Sequence, residues 1–381
     1  MKKITLATGA VLFLLAALYS LFAYEKSWEQ ITLGASLPLT GINKELGQEV
    51  LEGADAYFKY ANAHGGIHGK PIRFLHYDDK YEPQNTIRNT QKLILEDQVF
   101  ALFGFVGTPT TKAILPMIEK VPLIAPYTGA AVFRRGDNPH IVNFRSSYGE
   151  EIDHIVAYLY QQKKIRRFAV FYQNDDYGIA GYNAAVKALK KRKLTLSAEG
   201  TYRRNTLSIA QALHEISLAR PEAILLVGAY KPTARFIRSW RKHAAIHALF
   251  APISFVNADA LIRELDYRGE NIYFSLTVPS YDGRKLGVAN SYREILATYY
   301  PSAHPSYASF ESFLAAKAVV SALRDIPGAI TRQRFIRRLK AIHPGAIGDL
   351  PIAYRHTQLL NQVYLSVFED GKFRLLDKER R

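Results

Sequence analysis

From Ile31 to Leu37 apolar residues (Ile31, Leu33, Ala35, Leu37) alternate with Thr32, Gly34 and Ser36, which predicts a strand that stops at Pro38. Beyond the loop Pro38-Leu39-Thr40-Gly41 the period lengthens: Val50, Leu51, Ala54, Phe58 and Ala61 recur at helical spacing until His64-Gly65-Gly66 ends the helix. A strand from Ile72 to Tyr77, the acidic turn Asp78-Asp79 and a helix from Pro83 to Glu96 follow, with Pro83 at a tolerated first helical position. Strand and helix thus alternate at intervals of about thirty residues, the pattern of βαβ units around a parallel sheet.

The next stretch holds two strand-to-turn junctions close together. An apolar strand from Val99 to Phe105 runs into Gly107-Thr108-Pro109-Thr110-Thr111 and a helical run to Glu119. A short strand from Pro122 to Ala125 then runs into Pro126-Tyr127-Thr128-Gly129-Ala130. Open α/β sheets bind ligands beyond the carboxyl ends of their strands. Both turns carry small hydroxyl residues and backbone amides, so a carboxylate finds donors here without a charged side chain. Gly, Thr and Pro are also what ordinary turns contain, and it is the pairing that marks the stretch.

After Arg145 the pattern restarts. A helix from Gly149 to Gln162 precedes a strand from Arg167 to Tyr172, and the loop Gln173 to Gly178 opens a helix with Ile179, Tyr182, Val186 and Leu189 on one face. Strands at Thr195–Thr201, Ala223–Val227 and Ala248–Pro252 alternate with helices at Ser208–Leu218 and Thr233–His243. The last third adds a strand from Ile272 to Val278, helices near Val288–Tyr299, Ser309–Leu323 and Arg332–Ala341, and a hairpin whose turn contains Asp370-Gly371. Two α/β series in 381 residues imply two lobes, each with its own core.

Composition changes the picture at the amino terminus. Met1-Lys2-Lys3 followed by an uncharged run from Ile4 to Tyr24 reads as a secretory signal, and the run is also long enough to serve as a retained anchor. The chain has no cysteine, which excludes disulfides, thiolate metal sites, cysteine nucleophiles and lipid attachment through cysteine. The formal charge is +16, but the basic clusters (Lys163 to Arg167, Lys190 to Lys193, Arg235 to Lys242, Arg332 to Lys340) are not interleaved with aromatics as a nucleic-acid platform requires. No Gly-x-Ser-x-Gly elbow and no phosphate-binding glycine loop occurs, so no enzyme chemistry, cofactor or metal is expected.

Read in order, several segments resemble the type I periplasmic binding proteins of branched-chain amino acid transport, the leucine/isoleucine/valine-binding family. They are Leu37 to Gly41, Gly47 with Glu52-Gly53-Ala54, Asn62 to Lys70, Tyr77-Asp78-Asp79, Gly104 to Pro116, Pro122 to Pro126, and Tyr177-Gly178. The resemblance runs from about Ile31 to about Leu376. It implies an α/β fold of two doubly wound lobes joined by a three-segment hinge, with crossings near Arg145–Ser147, Val278–Ser280 and Gly348–Pro351. One lobe would comprise residues 31–146 plus 279–349, the other 147–278 plus 350–381, with 1–24 the signal or anchor.

By the same resemblance, Gly107 and Thr108 match the first ligand-carboxylate loop and Tyr127, Thr128 and Gly129 the second. Tyr177 and Tyr230 match tyrosines that cover the ligand from the facing lobe. Tyr177→Ala is then expected to weaken binding with little loss of fold stability. Two positions depart from the pattern. Leu46 stands where a tyrosine is usual, and the acid that receives a ligand ammonium is absent near Ile253 and Ser254. Asp282, Asp176 and Asp79 are the substitutes to consider, and Ser254 and Asp282 complete the expected site. The resemblance implies a monomeric, periplasmic, non-enzymatic solute-binding protein for an amino acid or related carboxylate or amide, serving an inner-membrane ABC permease. The alternative is a membrane-anchored sensory or accessory domain coupled to another partner.

Overall fold

The computed structural model describes residues 28–243, 247–283 and 285–376; the segment read as signal or anchor lies outside them. Strands β1 (Ile31–Leu37), β2 (Ile72–Asp78), β3 (Ala101–Phe103), β4 (Leu123–Ile124) and β5 (Ile141–Val142) form one sheet in the order β2-β1-β3-β4-β5. Every neighbouring pair is parallel. A second parallel sheet has the order β7-β6-β8-β9, from β6 (Phe168–Gln173), β7 (Leu196–Tyr202), β8 (Ala223–Val227) and β9 (Leu249–Pro252). In both, the order reverses next to the first strand, which creates the crevice where doubly wound sheets place ligands. An antiparallel sheet of β10 (Tyr273–Leu276), β11 (Tyr364–Glu369) and β12 (Lys372–Leu375) joins the second sheet through the bridge between Phe250 and Ile272.

The helices follow the changes of hydrophobic period. In the first series they are α1 (Lys44–Ala63), α2 (Pro83–Leu95) and α3 (Thr108–Ala113). In the second they are α4 (Tyr148–Gln162), α5 (Asp176–Lys190), α6 (Ala210–Leu218), α7 (Tyr230–His243) and α8 (Ala258–Glu264). The last third adds α9 (Gly287–Tyr299), α10 (Tyr307–Arg324) and α11 (Arg332–Lys340). Helices far along the chain return to the first sheet: Tyr57 of α1 meets Phe313 of α10 with ring centroids 4.9 Å apart, and Phe100 meets Phe335 of α11 at 5.4 Å. Such returns are why contiguous halves do not describe this chain.

Three local departures have physical causes. The helical run expected to reach Glu119 stops at Ala113 and continues only as a single 3₁₀ turn, Leu115–Met117, because Pro116 has no N–H to donate and its ring crowds the preceding turn. Strand β5 and helix α8 carry no signal in the sequence; β5 has two residues and α8 seven, too few to display a period. Helix α4 begins one residue early, fixed by a reciprocal capping box between Ser147 and Glu150.

The lobes are tied by segments that run side by side. Leu360 N–H donates to Phe144 O at 2.7 Å, Leu359 N–H to Asn143 O at 3.1 Å, and Ser146 Oγ to Gln362 O at 3.0 Å. Arg145 lies in the first of these segments, and its Nη2 reaches Thr277 Oγ1, just past β10, at 3.3 Å.

Candidate functional site

The turns after β3 and β4 come together. Val106 and Tyr127 form a parallel bridge, Gly107 N–H donates to Tyr127 O at 3.2 Å, and Thr108 Oγ1 and Thr128 Oγ1 share a hydrogen bond of 2.7 Å. Gly107 has φ of +101°, which a side chain would strain, and a Cβ there would lie 2.3 Å from the Tyr81 ring. Several turn donors are already engaged: Thr128 N–H with Pro126 O, and Ala130 N–H with Thr128 Oγ1. Helix α3 has only six residues, so its macrodipole adds little.

Over the turns lies an aromatic cluster contributed mostly by the second lobe. Tyr177, presented by the first turn of α5 where Asp175 caps the helix through the Tyr177 and Gly178 amides, packs on Phe255 with centroids 4.4 Å apart. Tyr148 stands 5.5 Å from Tyr177, Tyr127 6.0 Å from Phe255, and Tyr81 6.3 Å from Phe255. Tyr177 is fully buried and its hydroxyl donates to Gly228 O at 3.3 Å. The structure therefore brings Gly107, Thr108, Tyr127, Thr128, Gly129 and Tyr177 together. It also corrects one expectation: a side chain packed this deeply within its own lobe cannot be truncated without loss of stability.

The other three residues lie apart. Ser254 sits behind Tyr127 in a buried ionic network: its N–H and Oγ donate to the two Glu151 oxygens, each at 2.8 Å, and its Oγ accepts from Arg145 Nη2 at 2.6 Å. Arg145 Nε lies 3.1 Å from Glu311 Oε1, and its guanidinium stacks 4.0 Å from the Tyr127 ring centroid. Burial acts against the charge of Arg145, yet Glu311, Tyr127 and Glu151 outweigh it and raise its pKa. Burial likewise raises Glu151 and Glu311, with Arg145 opposing. Tyr230, also buried, has a hydroxyl without a hydrogen bond; burial and the charge of Glu45 push its pKa up. Asp282 is exposed, and its backbone amide donates to Ser280 Oγ at 3.2 Å.

Two of the substitute acids, Asp176 and Asp79, are already engaged. Asp176 pairs with Lys112 at 2.6 Å, and buried Asp79 accepts from Ser36 Oγ, Thr86 Oγ1 and Tyr81 N–H, its pKa raised by burial to about 6. The residues missed from sequence are Tyr81, Tyr148, Arg145, Glu151, Glu311 and Phe255. Among them only Arg145, in a segment read as a crossing, carried a usable signal.

Contacts between the lobes close the crevice on several sides. Arg204 Nη2 meets Glu82 Oε2 at 2.8 Å, and Asn205 Nδ2 meets Glu82 Oε1 at 2.7 Å. Arg263 Nη2 meets Glu49 Oε1 at 2.7 Å and Glu45 Oε2 at 3.0 Å, while Asn257 Nδ2 donates to Glu49 Oε2 at 2.8 Å. Among the described residues no group of three or more metal-ligating side chains converges, and no helix is long and apolar enough to cross a membrane.

Two doubly wound lobes, three connecting segments and a crevice held shut across its rim define a two-lobed solute-binding protein. The chain belongs to the periplasmic binding protein family, whose model matches residues 30–371. A similar solved structure is a possible leucine/isoleucine/valine-binding protein from Rhodopirellula baltica, 29% identical, covering 93% of this chain and 98% of that one with a TM-score of 0.86. Another is a substrate-binding periplasmic protein from Ralstonia solanacearum, 25% identical, covering 89% and 97% of the two chains with a TM-score of 0.83. An amino acid binding protein of Pseudomonas aeruginosa is 26% identical over 156 residues, 39% of this chain and 40% of its own length. The alignments thus span less than half of the curated relatives they match. These relatives are binding proteins, not enzymes.

Proposed function

We propose that this chain is an exported solute-binding protein that captures a small polar metabolite, an amino acid or a related carboxylate or amide, between its lobes and delivers it to an inner-membrane ABC permease. The observation that carries the reading is the Thr108–Thr128 hydroxyl pair of 2.7 Å at the ends of β3 and β4. Hydroxyl donors in a crevice from which water is excluded favour a carboxylate without a fixed counter-charge. Closure is favoured when a ligand contacts both lobes, and the closed form is what a permease reads.

In this reading residues 31–146 plus 279–349 form one lobe and 147–278 plus 350–381 the other. The hydrogen bonds of 357–362 to 143–146 favour a third crossing somewhat later than 348–351. Residues 1–24 direct export to the periplasm, and the protein acts as a monomer. Gly107, Gly129 and Tyr127 shape the crevice, and Ser254 holds Arg145.

A thermal-shift screen of the purified protein against amino acids, carboxylates, amides and aromatic acids tests this. A ligand at a hundred times its dissociation constant raises stability by about 2.7 kcal/mol. Thr108→Val with Thr128→Val should remove that shift, and a shift that survives the double substitution would place the ligand elsewhere.

A further inference from the structure

The polar end of the crevice is filled by the protein's own side chain. Tyr148 is the first residue of α4, and its N–H donates to Gly129 O at 2.8 Å. A Cβ on Gly129 would fall 2.4 Å from Tyr148 Cδ1 and 2.7 Å from Cε1, so the glycine exists in contact with this ring rather than with open space. Tyr148 is 1% exposed, and Thr108 and Thr128 are no more exposed than that. Its hydroxyl is buried without a completed hydrogen bond. Burial pushes that phenol up, opposed by Arg145 and then by Thr128, the Gly129 amide and Thr108, the groups a ligand carboxylate would use.

What surrounds the ring fixes what can replace it. Its neighbours are the rings of Tyr177 and Phe255 and, at 2.4–2.7 Å from where a Cβ would stand, Gly129. The buried acids near the crevice are all committed: Glu151 to Ser254 and Ser275, Glu311 to Arg145 and Thr277, Glu49 to Arg263 and Asn257, Asp259 to Tyr281 and Tyr307. None of these four buried acids is left to receive an ammonium, whose burial unpaired is costly.

We propose that Tyr148 is the resident occupant of the Thr108–Thr128–Gly129 cradle and the specificity gate of the crevice: a ligand enters only by replacing its ring, which favours a flat aromatic acid over an aliphatic amino acid. The proposal rests on the solute-binding reading and narrows it to a ligand class. Tyr148 starts the helix that follows the first crossing, so rotation of the lobes draws the ring away from Gly129 and frees the cradle.

The test is calorimetric titration of the full chain and of Tyr148→Ala with 4-hydroxybenzoate, a copy of the phenol with an acid at one end, and with leucine. Removing the competing ring should tighten 4-hydroxybenzoate binding by about tenfold or more, with leucine weaker than 4-hydroxybenzoate in both proteins. Unchanged or weaker binding of 4-hydroxybenzoate by a folded Tyr148→Ala, or tighter binding of leucine by the unsubstituted chain, overturns the proposal. Should Tyr148→Ala not fold, Tyr148→Leu, which keeps an apolar cap on α4 but withdraws the phenol, is judged by the same criterion. Tight leucine binding by the unsubstituted chain would leave the solute-binding reading standing while removing the gate.

Discussion

Arg145 Nη2 and Ser254 Oγ lie 2.6 Å apart, 109 positions apart in sequence, and through them one guanidinium serves two buried carboxylates, Glu311 directly and Glu151 by way of the serine. Removing the cation leaves both acids desolvated without their counter-charge. Arg145→Met should therefore destabilise the fold by about 3–5 kcal/mol, the scale of a broken buried pair. Because burial already raises the pKa of both acids, the loss should be larger at pH 8, where they must ionise, than at pH 5. Urea midpoints at the two pH values measure it, and equal losses would show that the acids are not the source.

A second acid sets a pH dependence of its own. Asp259 accepts from Tyr281 Oη at 2.6 Å and from the Tyr307 amide at 2.8 Å, and burial, reinforced by the charge of Glu49, raises its pKa from 3.8 to about 7. The stability associated with the protonated form is fully present below the ordinary carboxylate pKa and is lost as pH rises through about 7. Asp259→Asn keeps the side chain neutral throughout, so its stability relative to the unsubstituted protein should improve by on the order of 1 kcal/mol per pH unit between pH 4 and 7. A difference that stays flat with pH would assign the slope to other groups.

The architecture was legible because period carries it: alternation around Ile31–Leu37 and helical spacing through Val50–Ala61 are local, and each change of period marks a boundary. The site was half legible for the same reason. Thr108 and Thr128 sit in adjacent strand-end turns, so topology alone places them together. Ser254 was read as a ligand contact because its partners Arg145 and Glu151 lie more than a hundred residues away, and no local pattern reports such a network. Tyr148 falls just before the helix expected from Gly149, and no local pattern marks it; its packing on Gly129 follows from the crossing that turns α4 toward that residue.

The contacts between the lobes should differ in weight by burial. Lys112 and Asp176 are both about half exposed, and a solvated pair contributes about 0–1 kcal/mol, so Lys112→Ala should leave the closed form populated. Glu49 is buried, with its pKa raised by burial and held down chiefly by Arg263. Arg263→Ala strands that carboxylate, and opening the crevice is the way to hydrate it. Small-angle scattering should then show a larger radius of gyration for Arg263→Ala than for Lys112→Ala; the reverse order would mean that the rim, not the buried acid, holds the lobes together.

Tyr177 separates packing from binding. Its ring contacts Phe255 at 4.4 Å and Tyr148 at 5.5 Å, and its hydroxyl reaches Gly228 O at 3.3 Å. Phe255 and Gly228 belong to the series that forms the second sheet, so these contacts do not depend on closure of the crevice. Tyr177→Ala should cost about 3–5 kcal/mol, the range for deleting a large buried side chain. Tyr177→Phe loses only a long hydrogen bond, worth about 1 kcal/mol or less. If Tyr177 also covers a bound ligand, Tyr177→Phe should retain most of the affinity while Tyr177→Ala loses it at temperatures where both remain folded. Thermal melts establish the folded range and titration within it measures the affinity. Equal affinities in the two variants would confine Tyr177 to the core of its lobe.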